Sequence, residues 1–176
     1  MVKWLVALAA LVAMTRPADA CGFWKMHDQE KDRDVGYLIN SAKITSGEGK
    51  RTIGAIYLDD ENPNGLRSVK DRRVVFDVKK GKVTKYGKPI ATINADFSVA
   101  FGKRVYTIEL SNRHDVHSMA AWDLTVKRGD QVILTSTEAS PLCAPMHRDP
   151  PWTEEQMQDE VRRRVMYYLA WRETGP

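Results

Sequence analysis

Two nearly identical octapeptides, Tyr86–Ile93 (YGKPIATI) and Phe101–Ile108 (FGKRVYTI), set Gly87 and Gly102 fifteen residues apart. Each glycine follows an aromatic residue and precedes a lysine. Aliphatic residues then fall three and six positions on: Ile90 and Ile93, Val105 and Ile108. A looser echo places Val132 three residues after Gly129. This is the spacing of a strand, a glycine turn or bulge, and a return strand. Hairpins of this kind cannot bury an apolar face singly, so they must join into one larger sheet. The repeat therefore predicts consecutive hairpins that reuse a single turn.

From Val35 onward the rest of the chain agrees. Runs rich in β-branched and aromatic residues occur at 35–44, 52–58, 72–78, 97–110, 119–126 and 131–137. KKGK (79–82) and KRGD (127–130) make tight connections between neighbouring runs. Residues 21–34 are polar and patternless apart from Phe23 and Trp24, and read as an N-terminal arm. Residues 35–176 then form a single β-rich domain. The expected fold is mainly β: antiparallel hairpins in a sandwich or small barrel, with one C-terminal amphipathic α-helix.

That helix is expected over 153–172. Thr153 and Gln156 make a capping box, and Trp152 and Met157 sit where a hydrophobic staple would place them. Acidic residues at 154, 155, 159 and 160 precede Arg162, Arg163 and Arg164, the order that the helix dipole favours. Met157, Val161, Val165, Tyr168 and Leu169 share a stripe. Residues 165–171 are apolar nearly all round, so either the sheet wraps this half or one face of it meets a partner.

The first twenty residues read as a signal peptide. Lys3 precedes an apolar run from Trp4 to Met14, and Ala18-Asp19-Ala20 offers a small-x-small cleavage pattern. The run is too short to span a bilayer, which takes about twenty residues. Cleavage would leave Cys21 first and lower the formal charge from +4 to +3, by removal of Lys3, Arg16 and Asp19. Export implies an oxidising compartment, where Cys21 and Cys143, the two cysteines of the chain, are expected to pair. A lipid anchor on Cys21 at a membrane surface is the competing reading. TRPADA separates the apolar run from the cysteine, which disfavours it.

Three groups of residues carry candidate chemistry. Asp60, Asn62, Asn64, Ser68 and Asp71, with Gly65 sixth in the series, match the oxygen-ligand spacing of a calcium loop. Pro63, Arg67 and an Asp rather than a Glu at the twelfth position depart from that pattern, and a solvated turn is the competing reading. His114 and His117, with His147 and Cys143, supply zinc-type ligands, although on a strand the first two would face opposite ways. Arg72, Arg73, Lys79, Lys80, Lys82, Lys85 and Lys88, against Asp77 alone, form a basic ribbon suited to phosphate or sulfate groups. Lysines that guard hairpin edges against aggregation are the plainer explanation of that ribbon.

No nucleophile elbow, zincin motif or phosphate loop is present, and Ser118 beside the histidines is too close in sequence to build a triad. No catalytic residue is assigned. The net charge is mild and its signs interleave, which argues for solubility rather than a polyanion partner, and nucleic acid is not expected. The expectation is an exported, non-enzymatic binding module that meets a protein partner or an anionic glycan or lipid surface, without a cofactor unless the loop takes calcium. The alternative is a calcium- or zinc-binding domain or a metal-dependent enzyme.

Overall fold

Alternating apolar and polar side chains leave each strand one face to bury, and twelve strands meet that demand here by closing on themselves. The computed structural model describes residues 23–38, 42–46, 52–58, 65–68, 74–116, 118–141 and 151–175. Its first six strands are β1 (Phe23–Asp28), β2 (Arg33–Leu38), β3 (Ala42–Ser46), β4 (Thr52–Leu58), β5 (Gly65–Ser68) and β6 (Val74–Lys79). Then come β7 (Lys82–Lys85), β8 (Lys88–Ile93), β9 (Val99–Phe101), β10 (Arg104–Val116), β11 (Met119–Arg128) and β12 (Gln131–Ala139). Helix α1 (Glu154–Thr174) ends the chain's order of elements. Every strand pairs antiparallel with its neighbour in sequence, and β1 pairs with β12, His27 opposite Thr135.

The fold is thus mainly antiparallel β with one C-terminal helix, and the barrel is the form it takes. The segment expected to be an arm is instead part of the wall. Residues 23–28 form β1, whose inward row Trp24, Met26 and Asp28 is buried while Lys25 is exposed. Three alternating positions were too few to stand out from the charged residues around them.

The glycine repeat produces hairpins, but by two turns rather than one. Lys85 pairs with Lys88 across Tyr86-Gly87, both of which have positive φ (49° and 77°), the signature of a type I′ turn. Phe101 pairs with Arg104 across Gly102-Lys103, where only Gly102 is positive (61°), as in type II′. The repeated letters therefore sit one residue out of step with the turns. Tyr86 is 52 % exposed at a turn, whereas Phe101 is 6 % exposed at a strand end. A bulge at Ile90, where the partner of β7 jumps from Pro89 to Ala91, brings the two copies back onto the same face. Ala91 and Tyr106, four residues after their glycines, are both buried.

Because strands alternate in direction, the turns at Gln29–Asp32, Tyr86–Gly87, Gly102–Lys103 and Gly129–Asp130 share one end of the barrel. The turns at Lys80–Gly81 and Asn94–Ser98 lie at the other, where α1 enters: Arg113, late in β10, is 3.9 Å from Glu154. Along the described strands the outward row carries Lys25, Glu109 and Asp123 in mid-wall, where a lipid-facing barrel carries apolar side chains, and Lys82 and Lys127 near the turns. No described helix is long and apolar enough to cross a membrane.

The apolar row points inward and meets α1. Eight strands make a barrel that side chains alone can fill. Twelve enclose a wider lumen, and a helix of about 10–12 Å diameter occupies it here. Every residue from Arg164 to Trp171 is buried, so α1 is wrapped on all sides over two turns and is not amphipathic there. Val161, Val165, Tyr168 and Leu169 join Trp24, Phe76, Tyr106, Trp122 and Leu124 in one core. Thr153 Oγ1 accepts from the Gln156 amide and Gln156 Oε1 from the Thr153 amide, the capping box seen in the sequence.

Leu169 has no exposed surface. Leu169→Ala should lower stability by about 2–5 kcal/mol through lost contacts and a cavity the closed wall cannot collapse into. A denaturation midpoint close to that of the native chain would show that the helix does not occupy the lumen.

Candidate functional site

Polar chemistry concentrates where α1 leaves the barrel. Asp28 ends β1 with no exposed surface, and its two carboxylate oxygens divide the work. Oδ1 accepts from the backbone amides of Glu30 (3.2 Å) and Lys31 (3.1 Å), which shapes the β1–β2 turn. Oδ2 accepts from Tyr168 Oη (3.0 Å) and Arg172 Nε (3.1 Å), which holds the helix. Burial works against the charged carboxylate, but Arg172, Tyr168 and the Lys31 amide outweigh it, and the Asp28 pKa lies below its ordinary value. Burial, and then the Asp28 charge, push the Tyr168 hydroxyl pKa well upward, so it remains a donor.

Further groups extend the network around the rim. Glu30 bonds both Arg172 and Arg128, and Arg172, ahead of the opposing effect of burial, lowers the Glu30 pKa. Glu173 accepts from Tyr106 Oη (2.5 Å) and pairs with Arg104 (2.8 Å) and Arg172 (3.4 Å). Lys85 Nζ donates to the carbonyls of Thr174 (3.1 Å) and Gly175 (3.0 Å), at the negative end of the helix dipole. Asp28, Glu30 and Glu173 are thus answered by Arg104, Arg128 and Arg172. Each carboxylate finds its cation within the chain, and together these contacts clamp the helix to the rim.

A second cluster lies nearer the helix's entry, where the ion pairs run within α1 and Arg162 supplies the contact to the wall. Glu160 accepts from Arg164 Nε (2.8 Å) and pairs with Arg163 (2.9 Å); Arg164 and Glu160 side chains are only 1 % and 5 % exposed. Arg162 stacks on Phe97 at 4.6 Å, and Phe97 holds a positive φ of 62° in the β8–β9 turn. A non-glycine aromatic in that conformation is strained.

The basic ribbon is divided. Lys80, Lys82 and Lys88 are exposed, at the β6–β7 turn, on the outer face of β7 and at the start of β8. Lys85 does not join them: it points inward to the helix terminus and lies 5.7 Å from the Phe76 ring. Strand alternation separates it from Lys82, three residues earlier. Lys79 closes β6, paired with Lys82. Arg72 and Arg73 lie outside the described residues. So do Asp60, Asn62, Asn64 and Asp71 of the calcium-type series, whose Ser68 ends β5.

His114 lies on β10, and neither ring nitrogen is free for a metal. Nδ1 is 2.7 Å from the Asn112 carbonyl oxygen and Nε2 is 2.9 Å from that of Thr137. His117, His147, Cys21 and Cys143 lie outside the described residues, as does the leader at 1–20. Among the described residues no group of three or more His, Cys, Asp or Glu is placed to hold a metal.

The sequence reading missed Asp28, Glu30, Tyr106, Arg128, Arg172 and Glu173. One signal was present: an acidic residue at the end of a strand followed by a turn, far from an arginine in an apolar helix. Nothing in the spacing links positions 28 and 172. No family model, curated protein or solved structure matches the chain.

Asp28→Ala strips a buried pair of one partner and should cost about 3–5 kcal/mol at neutral pH. Because the folded carboxyl has the lower pKa, its stabilisation is complete above about pH 4 and disappears as pH falls through the folded value. Acid titration of the unfolding midpoint should be shallower in Asp28→Ala than in the native chain. Parallel titrations would remove Asp28 from the clamp.

Proposed function

We propose that the chain acts as an exported, non-enzymatic barrel that docks on an anionic surface through lysines of its outer wall. The observation that carries this reading is the filled lumen. A barrel of this width has room for a ligand or substrate inside, and here α1 occupies that space, held to the wall by Arg162 on Phe97 near its entry and by Arg172 on Asp28 at its exit. Recognition is left to the exterior. There Lys80 and Lys82 stand towards the entry end, with Lys88 and Lys103 on adjacent hairpins at the exit end, beside the half-exposed Tyr86. Phosphate or sulfate groups of lipids or glycans match that strip.

Export is the second part of the proposal, and strand order supports its disulfide. β1 and β12 are antiparallel neighbours, so the first residue of β1 and the last of β12 lie at the same end. Cys21 precedes Phe23 by two residues and Cys143 follows Ala139 by four. A bond between them would seal the seam where the ring closes, and closing so long a loop is worth on the order of 4–5 kcal/mol. Intact mass of secreted protein should begin at Cys21 and sit two hydrogens below the reduced form. A chain with both thiols alkylatable would remove the disulfide, and a mass raised by acyl chains would replace it with an anchor.

Surface binding is tested with vesicles containing anionic phospholipid, neutral vesicles as control, and a heparin column. Association should appear on the anionic surfaces and weaken as salt rises. With about 1 kcal/mol per lysine near such a surface, Lys80→Ala, Lys82→Ala and Lys88→Ala together should weaken it on the order of a hundredfold. Absence of salt-sensitive association would overturn the reading.

A further inference from the structure

We propose that His114 is a proton-dependent clasp tying the irregular ends of β10 and β12 together. Both strands leave their ladders at this level. The β10–β11 register breaks between Ser111 and His114, and Asn112 takes a positive φ of 47°. On the other side of β11, Trp122 pairs with Ala139 and Leu124 with Ser136, which leaves Thr137 and Glu138 outside the register. Two bulges thus flank Asp123, whose Oδ2 accepts from Asn112 Nδ2 at 2.8 Å. The His114 ring reaches from one bulge to the other. Nδ1 meets the carbonyl of Asn112 and Nε2 that of Thr137, at 2.7 and 2.9 Å.

Carbonyl oxygens only accept, and a neutral imidazole has a single N–H. In the neutral ring one of these contacts would set a nitrogen lone pair against an oxygen lone pair. Both can be hydrogen bonds at once only when the ring is an imidazolium. The charged groups around it agree. Asp115 on β10 and Asp123 on β11 favour the cation, and Glu138 follows Thr137 on β12. Arg113, the nearby cation on β10, is directed to Asp115 (3.6 Å) and to Glu154 of α1 (3.9 Å). The Asn112 carbonyl, opposed by desolvation and helped by the Thr137 carbonyl, raises the His114 pKa above its ordinary value.

A raised folded pKa gives stabilisation that is complete below about pH 6.5, the unfolded value, and is lost as pH rises through the folded value. The clasp tightens in acid and releases one carbonyl in base. β12 leads on through Ser140 towards α1, and Ser140 Oγ donates to the Ala120 carbonyl at 2.8 Å. That neutral bond does not titrate near neutrality, so deprotonation loosens the bulges without freeing the end of the strand.

The experiment is an NMR titration of the native chain from pH 5 to 9, with thermal midpoints across the same range for native, His114→Gln and His27→Gln chains. The His114 ring should titrate above pH 6.5, and the amides of residues 112–115 and 136–139 should shift with the same midpoint. The native thermal midpoint should fall on the basic side. His27→Gln should keep that fall and His114→Gln should lack it. A ring midpoint at or below 6.5, or amides indifferent to it, would overturn the clasp even if His114→Gln failed to fold. An unchanged pH profile in a folded His114→Gln chain would overturn it as well.

Discussion

A ring of twelve strands encloses more space than its own inward side chains can fill, and the structure depends on α1 filling it. The consequence runs in both directions. The wall gives the helix apolar contact all round, which lets residues such as Tyr167, Ala170 and Trp171 share its buried stretch. The helix gives the wall a second layer, without which the inward row of Trp24, Phe76, Tyr106 and Trp122 would face an open channel. Neither element would retain its form alone. An apolar helix exposed on every side would associate, and a hollow barrel lined with aromatic residues would collapse.

Apolar filling does not by itself choose how far the helix is inserted, since a helix sliding by one turn would still bury valines and tyrosines. The polar contacts make that choice. Asp28 accepts from Tyr168 and Arg172, four residues apart on one face, while the same carboxylate shapes the β1–β2 turn. At the exit, Lys85 meets the final carbonyls; at the entry, Arg162 meets Phe97. A shift of one turn, about 5.4 Å, would leave Asp28 and Arg172 buried without partners. Buried ion pairs contribute little net stability against an apolar alternative, but breaking one is costly, and that asymmetry defines a single register.

What was legible in the sequence was whatever depends on neighbours along the chain. The tight connections at KKGK and KRGD, the C-terminal helix and its Thr153–Gln156 cap, and the strand runs from residue 52 onward follow from alternation, turn chemistry and capping. The repeat was legible as hairpins and illegible as turns. Whether Tyr86 or Gly102 starts a two-residue turn depends on which residues pair across it, and the bulge at Ile90 that reconciles the copies has no local mark. The clamp was invisible for the same reason on a larger scale. Asp28 and Arg172 meet because β1 closes the ring and α1 threads it, and neither event is written within reach of either residue. Lys85 shows the reverse error: a charge assigned to the surface by its neighbours was drawn inside by unsatisfied carbonyls at the end of the helix.

The arrangement also bears on where recognition can occur. In an open barrel, change at the lumen alters ligand and change at the wall alters stability. With the lumen occupied these roles exchange, because each inward side chain answers to α1 as well as to its own strand. The outward positions of β7, β10 and β11 carry no such obligation to the helix, and charged side chains occupy them: Lys82, Glu109, Asp123, Lys127. Glu109 and Lys127 cancel across one strand pair at 2.8 Å. Lys80, Lys82, Lys88 and Lys103 are exposed without acidic partners among the described residues, and so supply a field that reaches beyond the wall by about a Debye length, roughly 8 Å at physiological salt. On the proposed reading, a barrel that has filled its own interior addresses other molecules through such exterior charge.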